Sequence, residues 1–154
     1  MYSVFVYGTL KKDEPNHHWL SNNKSGYSKF VCSAETIERY PLIIATKYNV
    51  PFLLYSPGNG EFVKGEIYEV DENVLKDLDE LEEHPNFYIR EEHFVRCVSG
   101  TEIKIKVWIY FIKQFKQELL NLPMLENYTS RCDHKYVPRY NRNPDYDHKQ
   151  IILL

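Results

Sequence analysis

The sequence predicts an α+β fold with about seven β-strands and two or three short helices. Apolar runs rich in β-branched and aromatic residues recur along the chain, with turn-forming residues between them. They occupy residues 4–7, 30–37, 42–45, 52–55, 62–70, 88–98 and 103–112. Helical patterns are fewer and shorter, at residues 16–22, 72–83 and 114–121.

The turns and the alternation of residue types indicate how the strands pair. Pro57-Gly58-Asn59-Gly60 separates two apolar runs as a β-turn, and Ser99-Gly100-Thr101 separates two others as a hairpin. In residues 102–107 every second residue is apolar, which is typical of a strand with one face in water. The sequence therefore predicts a largely antiparallel sheet.

The first strand ends in a glycine turn at Tyr7-Gly8-Thr9-Leu10. A turn at this point leaves the backbone N–H groups of Gly8, Thr9 and Leu10 without ladder partners, and such donors can bind an anion or a polarised carbonyl. These residues are therefore candidates for a binding loop. Taken alone, they are explained more simply as an ordinary strand-end turn.

The helix predicted at residues 72–83 carries a carboxylate on its apolar face. It begins after Asp71, which can cap its amino end, and it stops before Pro85. With 3.6 residues per turn, Glu82 falls on the apolar face, between Leu75 and Leu78. That face consists of Val74, Leu75, Leu78 and Leu81.

This position bears on the pKa of Glu82. Partial burial disfavours the charged form, and the negative end of the helix dipole acts in the same direction. The pKa should therefore lie above the ordinary value of about 4.3. A carboxylate tuned in this way suits a general base. Periodicity alone is equally compatible with a frayed helix end at which Glu82 turns to water.

Length and charge limit the classes of function. The 154 residues suffice for one domain with a proper core, and the formal net charge of −3 gives no large basic field for nucleic acid or an anionic membrane. A small or neutral partner fits better. The amino terminus lacks a secretory-signal pattern and no segment approaches the roughly 20 apolar residues of a membrane span, so we expect a cytoplasmic protein. The sequence does not indicate an oligomeric state.

The cysteines and histidines form no metal-binding or disulfide pattern. Cys32, Cys97 and Cys132 are odd in number and far apart, so we expect core or surface thiols. The six histidines match neither an HExxH motif nor zinc-finger spacing. We therefore expect neither a metal nor a cofactor.

The last part of the chain has a different composition, with prolines scattered among polar residues and tyrosines. We expect residues 122–154 to form an extended C-terminal arm beside a domain of residues 1–121. Asn143-Pro144-Asp145-Tyr146 fits an NPxY-type peptide ligand, although chance explains a four-residue match more simply. The closing Ile151-Ile152-Leu153-Leu154 is apolar, and the sequence leaves open whether it docks on the domain or lies exposed.

A co-linear set of motifs runs from Val4 to about Arg90 and covers more than half of the chain. It comprises Val4-Phe5-Val6-Tyr7-Gly8-Thr9-Leu10-Lys11, Pro15-Asn16-His17, Tyr40-Pro41-Leu42-Ile43, Val50-Pro51-Phe52-Leu53-Leu54, Pro57-Gly58 with Gly60, Lys64-Gly65-Glu66-Ile67-Tyr68 with Val70-Asp71, Leu78-Asp79 with Glu82, and Pro85 with Tyr88 and Arg90. This set resembles the gamma-glutamylcyclotransferase-like family, and within it most closely the gamma-glutamylamine cyclotransferases. Arg139-Tyr140-Asn141 continues the resemblance weakly in the arm.

The resemblance implies a compact barrel-like mixed sheet in a catalytic domain of residues 1–121. The family cyclises γ-glutamyl compounds: the free α-amine of the glutamyl group attacks its own γ-amide carbonyl, and 5-oxoproline and a free amine such as lysine are released. Neither water nor a metal is needed. The expected role is breakdown of the γ-glutamyl-ε-lysine isopeptides left by protein crosslinks.

The resemblance also implies site residues. Glu82 would be the general base, Tyr7, Gly8, Thr9 and Leu10 would form the substrate loop, and Tyr88 would line the pocket and offer its hydroxyl as a hydrogen-bond partner. Asp79, one turn before Glu82, is interpreted as an exposed acid at the helix edge and is left out of the site.

Two positions depart from the family pattern. Asp13 stands where a glycine is expected and could stiffen the loop, and Glu83-His84 replaces smaller residues and could change the charge that acts on Glu82. Two alternative functions remain open. One is a cyclotransferase that acts on glutathione or γ-glutamyl amino acids, and the other is a non-catalytic binding module on the same fold.

Overall fold

The computed structural model describes residues 1–21, 26–98, 103–130, 136–138, 141–143 and 147–154. Within these ranges the chain forms seven strands, three α-helices and one 3-10 helix. In chain order they are β1 (Tyr2–Val6), α1 (His18–Ser21), β2 (Ser28–Tyr40), β3 (Leu42–Ile44), β4 (Pro51–Leu53), β5 (Glu61–Val70), α2 (Glu72–Leu81), β6 (Ile89–Cys97), β7 (Lys104–Phe111), the 3-10 helix (Gln117–Asn121) and α3 (His148–Ile152). None of the helices in the described part of the chain is long and apolar enough to span a bilayer.

Five of the strands close into a barrel in the order β1-β5-β2-β6-β7. Four of the neighbouring pairs are antiparallel, and the barrel is closed by a parallel contact between β1 and β7, at Val4 and Trp108. Strands β3 and β4 form a separate antiparallel pair. The predicted α+β fold with a largely antiparallel sheet is confirmed, and the barrel that the resemblance implied is present.

Both faces of β1 are buried, and this places α2. Phe5 and Tyr7 point into the barrel core, where they pack with Ile67 and Ile109. Val4 and Val6 point outward and pack against the buried residues of α2, Val74, Leu75 and Leu78. Because side chains alternate along a strand, a continuous apolar run such as β1 can hold the barrel together and still provide a seat for a helix. The helix therefore lies beside β1, and its carboxyl end comes close to the loop that follows this strand.

The turn predicted at residues 57–60 joins β4 to β5. Gly58 and Gly60 have φ values of +93° and +88°, a region that favours glycine. At Gly60 a Cβ atom would also lie 2.3 Å from the backbone oxygen of Tyr40, so the turn excludes any side chain there. The hairpin predicted at residues 99–101 lies outside the described residues.

The expectation of free thiols is wrong for two of the three cysteines. Cys32 on β2 and Cys97 on β6 form a disulfide, with their Cα atoms 6.1 Å apart. The two strands are neighbours in the barrel, and Ala34 pairs with Cys97. The cysteines are 65 residues apart in sequence, so only the strand register brings them together. Cys132 lies outside the described residues.

The described part of the arm packs on the barrel. Tyr128 is completely buried and donates its hydroxyl hydrogen bond to the carbonyl of Asn49 (2.7 Å). Ile152 is also completely buried, and its carbonyl accepts a 2.9 Å hydrogen bond from the Lys116 N–H group. Ile151, Ile152 and Leu153 thus dock on the core, a point that the sequence left open, whereas Leu154 is exposed. The short helix α3 was not predicted. Pro144-Asp145-Tyr146 of the NPxY match lies outside the described residues.

Candidate active site

The predicted site residues converge on one cavity between the end of β1 and the carboxyl end of α2. Tyr7, Gly8, Thr9, Leu10, Glu82 and Tyr88 all line it. The wall also contains residues that the sequence did not single out. The principal ones are Asn16, Pro51, Phe87, Tyr110, Tyr136 and Arg142.

The loop after β1 presents backbone donors. Its carbonyls are engaged, since Gly8 O accepts from the Lys11 N–H (3.1 Å) and Thr9 O accepts from the Asn16 N–H (2.8 Å). Within the described ranges, the N–H groups of Gly8, Thr9 and Leu10 donate to no protein acceptor. A run of such donors in a cavity wall can bind an oxyanion or a carboxylate.

Close packing explains the glycine at position 8. Its backbone is outside the left-handed region, so it does not need a positive φ. A Cβ atom there would lie 2.5 Å from Cγ of Pro51, which no real contact allows. Pro51 in turn accepts a 2.8 Å hydrogen bond at its carbonyl from the hydroxyl of Tyr88. The loop and the opposite wall of the cavity therefore meet at Pro51.

The two predicted tyrosines, Tyr7 and Tyr88, line the cavity, and each donates its hydroxyl hydrogen bond to a backbone carbonyl of the protein. Tyr7 donates to the carbonyl of Tyr110 at 2.6 Å, and Tyr88 donates to Pro51. Burial, followed by the charge of Glu82, raises the pKa of Tyr7 well above its ordinary value. The ring of Tyr88 stacks on Phe52 with an interplanar angle of 8°. Each hydroxyl thus fixes the orientation of its ring through a hydrogen bond to a backbone carbonyl.

Glu82 occupies the position at which α2 ends. Its N–H group donates to the carbonyl of Leu78 (2.9 Å), so the last turn is closed at this residue. Glu82 lines the cavity together with residues 7–10 and Tyr110. Burial raises the pKa values of both Tyr7 and Tyr110, and the negative charge of Glu82 adds to the increase at each ring. The carboxylate therefore lies in the same cavity as the donor loop. The elevated pKa of Glu82 itself stays a prediction.

The two departures from the family pattern lie at special backbone positions. Asp13 has φ = 69° and Glu83 has φ = 54°, both in the left-handed region, where a glycine is favoured and other residues are strained. A glycine expected at position 13 therefore matches the backbone geometry found there. Glu83 forms an ion pair with Lys149 of α3, which offsets the added negative charge beside Glu82.

The interpretation of Asp79 as an exposed helix-edge acid is wrong. Its side chain is only 21% exposed, and it accepts hydrogen bonds from Arg90 Nε and the Tyr110 hydroxyl, both at 2.8 Å on Oδ1. Arg90 Nη2 reaches the other oxygen at 3.2 Å. Arg90 and Tyr110 are cross-strand partners of β6 and β7. Only knowledge of that register could have shown from the sequence that both face Asp79.

Residues near the C-terminus complete the wall. Asn16 Nδ2 donates to Thr9 Oγ1 (3.0 Å) and to the hydroxyl of Tyr136 (3.2 Å), so it links the loop to the arm. The guanidinium carbon of Arg142 lies 4.9 Å from the ring centroid of Tyr48 and 5.6 Å from that of Tyr136. The described wall thus also carries a positively charged group. In the described residues no three His, Cys, Asp or Glu side chains come together as metal ligands would.

Curated sequences similar to this chain are found in vertebrates. The gamma-glutamylaminecyclotransferase C of Danio rerio is 43% identical over 147 residues, which are 92% of this chain and 97% of the relative. The gamma-glutamylaminecyclotransferase of Rattus norvegicus is 40% identical and is covered completely, with 92% of this chain matched.

A solved structure and a family model agree with these relatives. The crystal structure of an AIG2-like protein from Mus musculus superimposes with a TM-score of 0.86 at 40% identity, over 92% of this chain and 99% of that one. The family model described as gamma-glutamyl cyclotransferase, AIG2-like matches residues 4–130. The chain belongs to the gamma-glutamyl cyclotransferase, AIG2-like family of enzymes.

Proposed function

We propose that the protein is a gamma-glutamylamine cyclotransferase, which converts a γ-glutamylamine such as γ-glutamyl-ε-lysine into 5-oxoproline and the free amine. The observation that carries the proposal is the convergence of Glu82 and the N–H groups of residues 8–10 on one cavity. The relatives at 40% and 43% identity, which bear the gamma-glutamylaminecyclotransferase name, support the choice of substrate class.

In the proposed reaction one carboxylate, that of Glu82, carries two protons in turn from the attacking nitrogen to the departing nitrogen. Glu82 takes a proton from the substrate α-ammonium, and the freed amine attacks the γ-carbonyl carbon to close a five-membered ring. The carbonyl oxygen becomes an oxyanion. Glu82 gives its proton to the amide nitrogen and then takes a second proton from the ring nitrogen, which carries two after the attack. When the oxyanion collapses, the bond from the γ-carbon to the amide nitrogen breaks, and the second proton passes to the released amine, which leaves as an ammonium ion. The atoms balance without a water molecule.

The oxyanion needs donors that are already in place. The N–H groups of Gly8, Thr9 and Leu10 suit this role, since their carbonyl neighbours are held by Lys11 and Asn16 and the loop is packed on Pro51. Preorganised donors stabilise charge that develops in the transition state without further reorganisation. Because the nucleophile is tethered to its target, holding the substrate folded recovers part of an effective molarity of ~10⁵ M or more.

Arg142 is suited to bind the α-carboxylate of the substrate. A γ-glutamylamine carries an α-carboxylate, and a guanidinium binds such a group through charge and paired N–H donors. Arg142 Nε donates to the carbonyl of Val137 (2.9 Å), and its guanidinium carbon lies 4.9 Å and 5.6 Å from the ring centroids of Tyr48 and Tyr136. The charged head is therefore oriented before substrate arrives.

A cytoplasmic location belongs to the same proposal, as does a role in degrading isopeptide crosslinks. The Cys32–Cys97 disulfide makes the location testable, because disulfides are rare in reducing compartments. Trapping the thiols of these two cysteines in cells before lysis measures their redox state directly. Reduced thiols support a cytoplasmic location, and a complete disulfide contradicts it.

Product analysis tests the proposed activity. Equal concentrations of γ-glutamyl-ε-lysine, glutathione and γ-glutamyl-alanine are supplied in parallel, and 5-oxoproline and the released amine are measured by mass spectrometry. We expect 5-oxoproline and lysine from the first compound at the highest kcat/KM. Preference for either of the other two would assign the alternative substrate class, and no product from any of them would support the non-catalytic binding module.

A further inference from the structure

Asp79 joins three elements of the fold through three hydrogen bonds. We name this set the Asp79 junction: Asp79 on α2, Arg90 on β6 and Tyr110 on β7. The carboxylate accepts two bonds from the guanidinium and one from the phenol. A carboxylate with three donors on two strands ties its helix to the barrel at a single point.

The Asp79 junction is partly shielded from water. The side chains of Arg90 and Asp79 are 19% and 21% exposed, and the guanidinium carbon lies 4.3 Å from the ring centroid of Trp108. Burial alone would lower the pKa of Arg90, but the hydrogen bond and charge of Asp79 more than offset this, and the pKa is raised. A bidentate and partly desolvated pair has a fixed geometry, unlike most surface ion pairs.

The Asp79 junction reaches both sides of the proposed chemistry. Glu82 follows Asp79 by three residues on α2, and the His84 N–H donates to the Asp79 carbonyl (2.9 Å), so the chain around Glu82 is fixed at Asp79. Tyr110 also accepts the hydroxyl proton of Tyr7 at its backbone carbonyl (2.6 Å), and Tyr7 opens the donor loop. The Asp79 carboxylate and the loop that begins at Tyr7 are therefore both hydrogen-bonded to Tyr110 of β7.

We propose that Asp79 is a positioning residue, which fixes Glu82 relative to the loop at residues 7–10 through Arg90 and Tyr110. The inference rests on the proposed function for its effect on turnover. The proposed role does not require a contact between Asp79 and the substrate. A misplacement of about 1 Å in a reacting group can cost on the order of 100-fold in rate, so loosening this anchor should act on kcat.

The first test is Asp79→Asn, which keeps the size of the side chain and removes the charge. We expect kcat for 5-oxoproline release to fall on the order of 10- to 100-fold with KM nearly unchanged. The matched control is Glu35→Gln, which weakens another arginine–carboxylate pair, Arg96–Glu35, between β6 and β2 and away from the cavity. The control should lower Tm without changing kcat.

Arg90→Lys provides a second variant in case the asparagine protein folds poorly. Lysine keeps the positive charge but lacks the planar fork, so the loss in kcat should be smaller than in Asp79→Asn. Wild-type kcat in folded Asp79→Asn, or an equal loss of kcat in Glu35→Gln, would overturn the proposal.

Hydrogen exchange gives a readout that does not depend on activity. In Asp79→Asn the amides of Glu82 and His84 should exchange faster, while the amide of Val74 at the other end of α2 keeps its protection. Unchanged exchange at Glu82 and His84 would overturn the positioning role whatever the reaction is. If the wild-type protein forms no 5-oxoproline, the proposed function fails, and the exchange measurement alone decides this inference.

Discussion

The two ends of α2 are held in different ways. At the amino end, Asp71 accepts hydrogen bonds from the N–H groups of Val74 (3.0 Å) and Tyr27 (2.8 Å). At the carboxyl end, Asp79 binds strand residues of the barrel and Glu83 pairs with Lys149 of α3. The first set joins the helix to its own first turn and to the residue before β2, away from the cavity. The second joins the helix to β6, β7 and α3 and lies beside the cavity.

This difference separates stability from chemistry within one helix. A change at this cap should leave the cavity in place, because neither Asp71 nor the two residues that donate to it lines the cavity. The contacts at the carboxyl end place Glu82, and their loss should appear in turnover. The variants below test that contrast, beginning with the largest expected effect.

Glu82→Gln should retain the fold and lose nearly all turnover. The amide keeps the shape of the side chain but cannot take the proton from the α-ammonium, and loss of a general base typically costs on the order of 10²–10⁴-fold. Steady-state assays of 5-oxoproline release, with thermal melts of the same preparation, measure both effects. Near wild-type turnover would remove Glu82 from the mechanism, and a protein that does not fold would indicate a structural role.

Gly8→Val should weaken ligand binding and also lower Tm. The added Cβ would overlap Pro51, whose carbonyl anchors Tyr88, so the loop and the opposite wall must both shift. We expect a loss of at least about 10-fold in the affinity for 5-oxoproline, measured calorimetrically, because the oriented N–H donors are displaced.

Thr9→Val is the control for the loop. It keeps the backbone N–H group and removes only the acceptor of the hydrogen bond from Asn16 (3.0 Å), so affinity should change much less. A folded Gly8→Val protein with unchanged affinity would argue that the loop is an ordinary strand-end turn.

The disulfide should affect stability and leave chemistry intact. Neither Cys32 nor Cys97 lines the cavity, and their bridge closes a long segment of the chain. Replacing both with serine should lower the free energy of unfolding by about 2–4 kcal/mol, as is usual for native disulfides. Urea unfolding and turnover are measured on the same preparation of the double variant. A large loss of kcat in fully folded protein would show that the disulfide also shapes the site.

Asp71→Ala should have the smallest effect on turnover and a stability effect that depends on pH. Hydrogen bonds from the N–H groups of Val74 and Tyr27 lower the pKa of Asp71 below its ordinary value. Because the folded pKa is the lower one, the stabilisation is present above the unfolded value and is lost as pH falls through the folded value. The Tm difference between wild type and variant should therefore shrink in strong acid. A difference that stays constant from neutral to strongly acidic pH would exclude a charge-based cap.

Local sequence patterns predicted much of the fold and the centre of the site. Strand periodicity located each of the seven strands to within a few residues. Helical periodicity predicted Glu82 on the apolar face of the helix, and Glu82, which caps the carboxyl end of α2, lines the candidate cavity. These features depend on neighbours within about one turn or one strand, which a single sequence displays.

What the sequence could not reveal depends on register between distant segments. The disulfide requires that Cys32 and Cys97 lie on neighbouring strands, and the Asp79 junction requires that Arg90 lie opposite Tyr110. Arg142 joins the cavity only because the arm returns to the barrel. None of these contacts leaves a local pattern in the sequence. The residues that line the wall of the cavity were therefore less predictable than Glu82.

The source of the oxygen atoms in the product tests the central claim, cyclisation in the Glu82 cavity, most directly. The enzyme is given γ-glutamyl-ε-lysine in water enriched in ¹⁸O, and the products are analysed by mass spectrometry after single-turnover and multiple-turnover incubation. Intramolecular attack predicts 5-oxoproline without ¹⁸O, together with an equal amount of lysine, and neither product from Glu82→Gln on the same timescale. Glutamate carrying ¹⁸O in its γ-carboxylate would show hydrolysis and contradict the account.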